Sequence, residues 1–433
     1  MREEFLYYVW QLGHFDHHGL KTTVGEEIEI IRRGERNTLS GPDFCNARIR
    51  IGDTIWVGNV EIHLSASDWF AHKHTQDPAY RNVVLHVVLE EDKPVFTEAG
   101  IRIPCLELKQ RIGRDLLGRY QRLMRAASWI PCQHEIHSVP EVVSKAWLDR
   151  LLVERLARRT EKLAARLRDV QGDWEELFYQ TLAQGLGGHV NAQPFEMLAR
   201  SLPLHILLRY RHSRLQLEAL FFGQANLLPA NPADEYPQRL LQEYSFLKAK
   251  HSLTPLPVGM WKFMRMRPAN FPTIRIAQLT ALIYHRGTLL NHALSALTAA
   301  EMEVMLSVRL ANYWADHFVF DKQSKLQPKL LGREMVNLLV VNAVVPILFL
   351  YGMQQGGEKF QQRAISLLED IPAEKNVIIE GWKNLGMEIP SAFHSQALLE
   401  LKKEYCNAGK CLQCALGNAI LTGINPAIKG DQG

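Results

Sequence analysis

At 433 residues the chain exceeds one ordinary domain, and two are expected. Its 47% hydrophobic content is enough for sizeable cores, while 50 Lys and Arg against 46 Asp and Glu leave a net charge of +4, too small for nucleic-acid binding driven by bulk charge. The opening Met-Arg-Glu-Glu does not read as a secretory leader, so the cytoplasm is the expected compartment.

In chain order, Glu3 and Glu4 sit on a short amphipathic helix with Phe5, Leu6, Tyr8 and Val9. Ser40-Gly41-Pro42-Asp43-Phe44 follows, and then two β-branched runs around Gly52-Asp53, which predict a β-hairpin over 47–64. Side chains alternate along a strand, so Glu61 and His63 share one face of the second arm and Val60, Ile62 and Leu64 the other. Asp43 and Glu61, on adjacent strands, are candidate ligands for Mg²⁺ or Mn²⁺, hard cations that keep waters and activate one of them. His63 is the candidate for orienting or deprotonating that water. Pro-Asp pairs also form ordinary turns, and Glu-x-His also occurs on ordinary strands.

Further on come Ser67-Asp68-Trp69, His72-Lys73-His74 and Asp77, then a buried-looking strand over 82–89 that carries His86, and a last strand over 101–108. His72, His74 and His86 are candidate substrate contacts, or ligands of a separate zinc, manganese or iron site, since His-x-His on a strand is a common start for one. A solvated cluster of polar rings is the plain alternative. The element order is α-β-β-β-α-β. With Asp43, Glu61 and His63 in place, residues 1–140 resemble the core of the PD-(D/E)xK nucleases, with His where that pattern has Lys. The resemblance implies a metal-dependent phosphodiesterase in which a carboxylate from the first helix, Glu4 or Glu3, adds to the metal site.

From about residue 142 the hydrophobic period changes to 3.6, predicting an all-α region over 141–433 and an α+β chain as a whole. Leu151, Leu152, Leu156, Leu163 and Leu167 form one core stripe, and Leu279, Leu282 and Ile283 belong to another. Arginines crowd 109–168, which suits a phosphate backbone, but interleaved Asp and Glu suit a solvated helix equally. The apolar run 335–353 contains Asn337, Asn342 and Pro346 and predicts a buried core helix, so no membrane span is expected. Arg267 and Arg275 flank a proline-stiffened loop able either to grip phosphate or to pair with neighbouring polar groups.

Cys406, Cys411 and Cys414 lie close together near the end of the chain, with the Cys-x2-Cys spacing of zinc and iron-sulfur sites. Cys132 is the preferred fourth ligand, ahead of His394, Cys45 and Cys105. Clustered thiols in a cytoplasmic chain favour metal over disulfide, with zinc first and a 4Fe-4S cluster second. Some PD-(D/E)xK nucleases carry such a cluster with one upstream and three late cysteines, although the order of spacings here differs.

Across nearly its whole length, including Ser67-Asp68-Trp69, the 80–88 strand, the Arg267 to Gln278 block and the Cys-Leu-Gln-Cys tail, the chain resembles a bacterial family defined by a domain of unknown function. Three functional expectations stand together: a metal-dependent nuclease acting on DNA or RNA, a non-catalytic nucleic-acid-binding or scaffold protein, and a histidine-based metal hydrolase or oxygenase.

Overall fold

The computed structural model describes residues 1–423 and separates into two units. One is Met1–Trp147 together with residues 401–423; the other is Leu148–Glu400. The division falls near Trp147 rather than at residue 140, and the cysteine-bearing tail belongs to the unit that holds the sheet.

In the first unit, α1 (Glu3–Leu12) buries Phe5, Leu6, Val9 and Trp10, and Gly13 ends it in the left-handed conformation. The strands follow as β1 (Ile28–Arg32), β2 (Glu35–Arg36), β3 (Phe44–Ile51) and β4 (Thr54–Ser65). The short helix α2 (Asp68–Ala71) then leads to β5 (Val83–Glu90) and β6 (Cys105–Glu107). This is the expected order with a two-residue β2 added and the last strand shortened to three residues.

The six strands form one mixed sheet in which β1, β3 and β4 run antiparallel, β5 and β6 lie parallel to β4, and β2 pairs with β3. The predicted hairpin is β3–β4, closing at Ile51 opposite Thr54. Its two halves differ in environment. Thr54–Val57 are exposed, whereas Val60, Glu61, Ile62 and His63 are buried, because there β4 lies between β3 and β5 with both faces covered. β5 is buried from Val83 to Val88, which places His86 inside the core.

The second unit is helical apart from a small hairpin, His317–Val319 with Lys322–Gln323. Leu151, Leu152, Leu156, Leu163 and Leu167 of the helix Glu141–Asp169 are buried, as their stripe predicts. The apolar segment forms one continuous helical stretch, Arg333–Gly356, long and apolar enough to cross a membrane but 72% buried inside this unit over its most apolar window. Two π-helical turns, Val340–Val344 and Gly352–Gly356, flank an α-helical Val345–Tyr351.

Candidate metal site

Gly41 has φ +103, a conformation that an L side chain rarely adopts, and it turns the chain so that Pro42-Asp43 enters β3. Asp43 and Glu61 then interlock. The Asp43 N–H donates to Glu61 Oε2 at 3.1 Å, and the Ile62 N–H donates to Asp43 Oδ2 at 3.0 Å. Each carboxylate is therefore held by main chain on the neighbouring strand, leaving one oxygen of each outside this main-chain clasp.

Around the second Glu61 oxygen the histidines gather. Glu61 Oε1 lies 3.6 Å from His63 Nε2 and 3.4 Å from His74 Nε2. His63 Nε2 is 3.2 Å from His72 Nδ1, and His63 Nδ1 is 2.9 Å from His86 Nε2, so one ring of each pair holds the shared proton. His72 and His74 are not on a strand. His72 follows α2, His74 opens a 3-10 turn, and Lys73 between them is left-handed at φ 62, which swings both rings toward His63.

Aromatic rings fix the cluster. Tyr80 stacks on His74 at 3.8 Å, and Trp69 meets His74 and His86 edge-on, its indole N–H held by Thr75 Oγ1 at 2.9 Å. A cleft of about 480 Å³ beside His74 is lined in part by Trp69, Asp77, Tyr80 and Arg81.

Burial decides the charge states. It pushes the Asp43 carboxyl up to about 6 against the opposing Ile62 N–H, Tyr7 hydroxyl and Arg36. Burial, then the charge of Asp43, pushes Glu61 up to about 9. Burial and neighbouring rings bring His63 down to about 2 and His74 to about 4, and His86 falls to about 3, so these rings are neutral with nitrogen lone pairs available.

Glu3 rather than Glu4 is the first-helix carboxylate at this site. Glu3 acts on both Asp43 and Glu61, accepts a hydrogen bond from Tyr7 at 3.4 Å and is opposed by His72, while Glu4 is exposed. His86 is fully buried and acts on His63, so it is not a substrate contact. Arg275 is also buried, its guanidinium donating to Asn270 and Gln278 within the second unit; Arg267 is exposed on the same loop. In the helix Glu141–Asp169, Arg155 is held by Gln396, Arg158 by Glu400, Arg159 by Val341 and Asn342, and Arg166 by Gln184. These four bind the second unit together rather than form a basic face. Tyr7, absent from the sequence reading, carries no motif and is found by position alone, one helical turn after Glu3.

These residues fit a metal ion. Among the described residues, neither Asp43 nor Glu61 forms an ion pair with Lys or Arg. Donor atoms of His63, His72 and His74 all lie within 4.8 Å of one another, and buried His74 Nε2 has no hydrogen-bond partner. Imidazoles with a carboxylate suit zinc, manganese or iron, and carboxylates of the kind Asp43, Glu61 and Glu3 offer suit Mg²⁺ or Mn²⁺, but among the described residues it is the three histidines whose donor atoms lie within 4.8 Å of one another.

A family model described as "Protein of unknown function (DUF2851)" matches residues 3–377, so it spans both units and stops before the late cysteines. Comparison with curated proteins and with solved structures finds no match.

Proposed function

We propose that this chain, which belongs to the DUF2851 family, is a divalent-metal-dependent hydrolase of nucleic-acid phosphodiesters. The observation that carries the reading is the interlocked pair of half-buried Asp43 and buried Glu61 with Glu3 beside it, acidic groups that form no ion pair with Lys or Arg among the described residues. The mixed sheet with its α-β-β-β-α-β order supports it, because Asp43 and Glu61 stand on the adjacent strands where the nuclease resemblance puts its metal ligands.

Asp43, Glu61 and Glu3 would hold the cation, which when bound offsets phosphate charge and acidifies a water. His63, neutral and with its ring fixed by His86 against Nδ1, is the group that would orient that water through Nε2, and His72 Nδ1 lies 3.2 Å from the same nitrogen. Arg36, near Asp43, and exposed Lys73 supply positive charge for a phosphate.

The test is incubation with single-stranded, double-stranded and branched DNA and RNA in Mg²⁺ or Mn²⁺, beside Glu61→Ala. Cleavage by the parent that falls at least about 100-fold in the variant, with the melting transition kept, supports the reading. Salt-dependent binding without cleavage would make the protein a nucleic-acid-binding or scaffold protein instead.

The convergence of His63, His72 and His74 on Glu61 favours a second reading, a histidine-ligated metal hydrolase in the same pocket. The metal content of Asp43→Asn and His74→Ala separates the two. Loss with Asp43→Asn alone supports the carboxylate site, and loss with His74→Ala alone supports the histidine site.

A further inference from the structure

Four thiols belong to the first unit, three of them close together near the end of the chain and one, Cys132, far upstream. Cys132 comes from the segment before the helix Glu141–Asp169, Cys406 ends the π-turn Leu401–Cys406, Cys411 opens a 3-10 turn, and Cys414 caps the helix Ala415–Thr422. Cys132, Cys411 and Cys414 are buried and Cys406 partly so. The tail is fastened beside Cys132 by Lys402, whose Nζ donates to Trp129 O at 2.9 Å.

Burial raises every one of these thiols, and partner charges add to it at three of them: Cys414 and Cys411 act on Cys132; Cys132, Cys414 and Cys411 act on Cys406; and Cys414 acts on Cys411. Those relations cover every pair in the set. As bare thiols they gain little from being gathered, since each opposes ionisation of the next. Gathering is useful when a cation lies between them.

The backbone is shaped for sulfur anions. At the start of its helix the backbone N–H groups of Leu416 and Gly417 act against burial and favour the Cys414 thiolate. A Cβ on Gly417 would stand 2.2 Å from Cys411 O, so only glycine lets the helix approach the Cys411 turn this closely.

We propose that Cys132, Cys406, Cys411 and Cys414 form a four-thiolate metal centre, distinct from the carboxylate–histidine pocket, that staples the tail onto the first unit. Zn–S bonds of about 2.3 Å would place the sulfurs of a single zinc roughly 3.8 Å apart. The described cysteines include no three whose sulfurs lie within 4.8 Å, a wider setting that leaves room for an iron-sulfur cluster.

The test uses full-length protein purified without oxygen or chelator, with zinc, iron and acid-labile sulfide measured per chain. The expected result is one centre per chain in the parent, in Cys45→Ser and in His74→Ala, and its loss in Cys132→Ser and Cys411→Ser. Zinc without sulfide identifies a single ion, and iron with sulfide identifies a cluster; either upholds the site. A parent without stoichiometric metal overturns it, as does metal retained in both cysteine variants when each also carries His74→Ala, which removes a donor of the other pocket. Should those variants fail to fold, titrating the native parent with a mercurial decides: metal released in step with thiol modification upholds the centre, and metal still bound after all six thiols are consumed overturns it.

Discussion

Glu218 shows what a buried acid does when its hydrogen-bond donors are neutral. It is 1% exposed, and its Oε2 accepts from Tyr236 Oη at 2.8 Å and from Trp314 Nε1 at 2.9 Å. Burial outweighs both donors and pushes the carboxyl up to about 7 from an ordinary 4.5. Because the folded value is raised, the folded protein holds a proton that the unfolded chain has lost between those limits. The stability contribution is therefore full below about pH 4.5 and is lost as pH rises through 7. Glu218→Gln keeps an oxygen acceptor without the charge, so urea unfolding should show the variant gaining on the parent by roughly 3 kcal/mol between pH 4 and pH 8. Parallel pH profiles would show that Glu218 titrates normally.

The residues of the carboxylate–histidine pocket were legible in the same physical terms, to a point. Strand alternation put Glu61 and His63 on one face, and the hairpin brought Asp43 to Glu61, as the structure has them. Alternation said nothing about His72 and His74, which meet His63 through the left-handed Lys73 and therefore looked like a separate site. The choice of Glu3 over Glu4 depends on the phase of α1 against the sheet, which spacing alone does not fix.

At the scale of elements, the helical stretch Arg333–Gly356 has to accommodate Pro346 in its interior. Proline has no N–H, and the preceding π-turn shifts pairing so that Val345 N–H donates to Val340 O. The carbonyls of Val341 and Asn342 are then left for another donor, and Arg159 supplies it, at 3.3 Å and 3.0 Å, with Asn342 Oδ1 also at 3.0 Å. Burial lowers this guanidinium to about 10, still charged at neutral pH. Arg159→Met should cost about 2–4 kcal/mol in denaturant unfolding, as two carbonyls lose their partners. Adding Pro346→Ala restores an N–H and should recover part of that loss, so the double variant should be less damaged than the sum of the single ones. The sequence showed the polar residues and the proline in this run but not their partner, because Arg159 lies 182 positions before Val341.

At the scale of the whole molecule, the chain leaves the first unit near Trp147 and returns to it at Leu401. Local periodicity marks helices but not which core they join, so the sequence reading kept the late cysteines with the helices around them. The returning segment completes the first unit. Tyr8 Oη donates to Asn418 Oδ1 at 2.6 Å, Arg119 Nη1 donates to Leu421 O at 3.1 Å, and Leu416, Ile420 and Leu421 are buried. Burying three such side chains contributes on the order of 5 kcal/mol, a large share of a domain's net stability. The segment belongs to the first unit and not to the second. A chain stopped after Glu400 should therefore lose cooperative structure selectively. Limited proteolysis should cut rapidly within residues 1–147 while fragments from 148–400 persist, whereas in the parent both resist. Equal resistance of 1–147 with and without the tail would mean that the sheet and α1 close their core unaided, and loss of both units together would mean that the helical unit depends on the sheet unit for its stability.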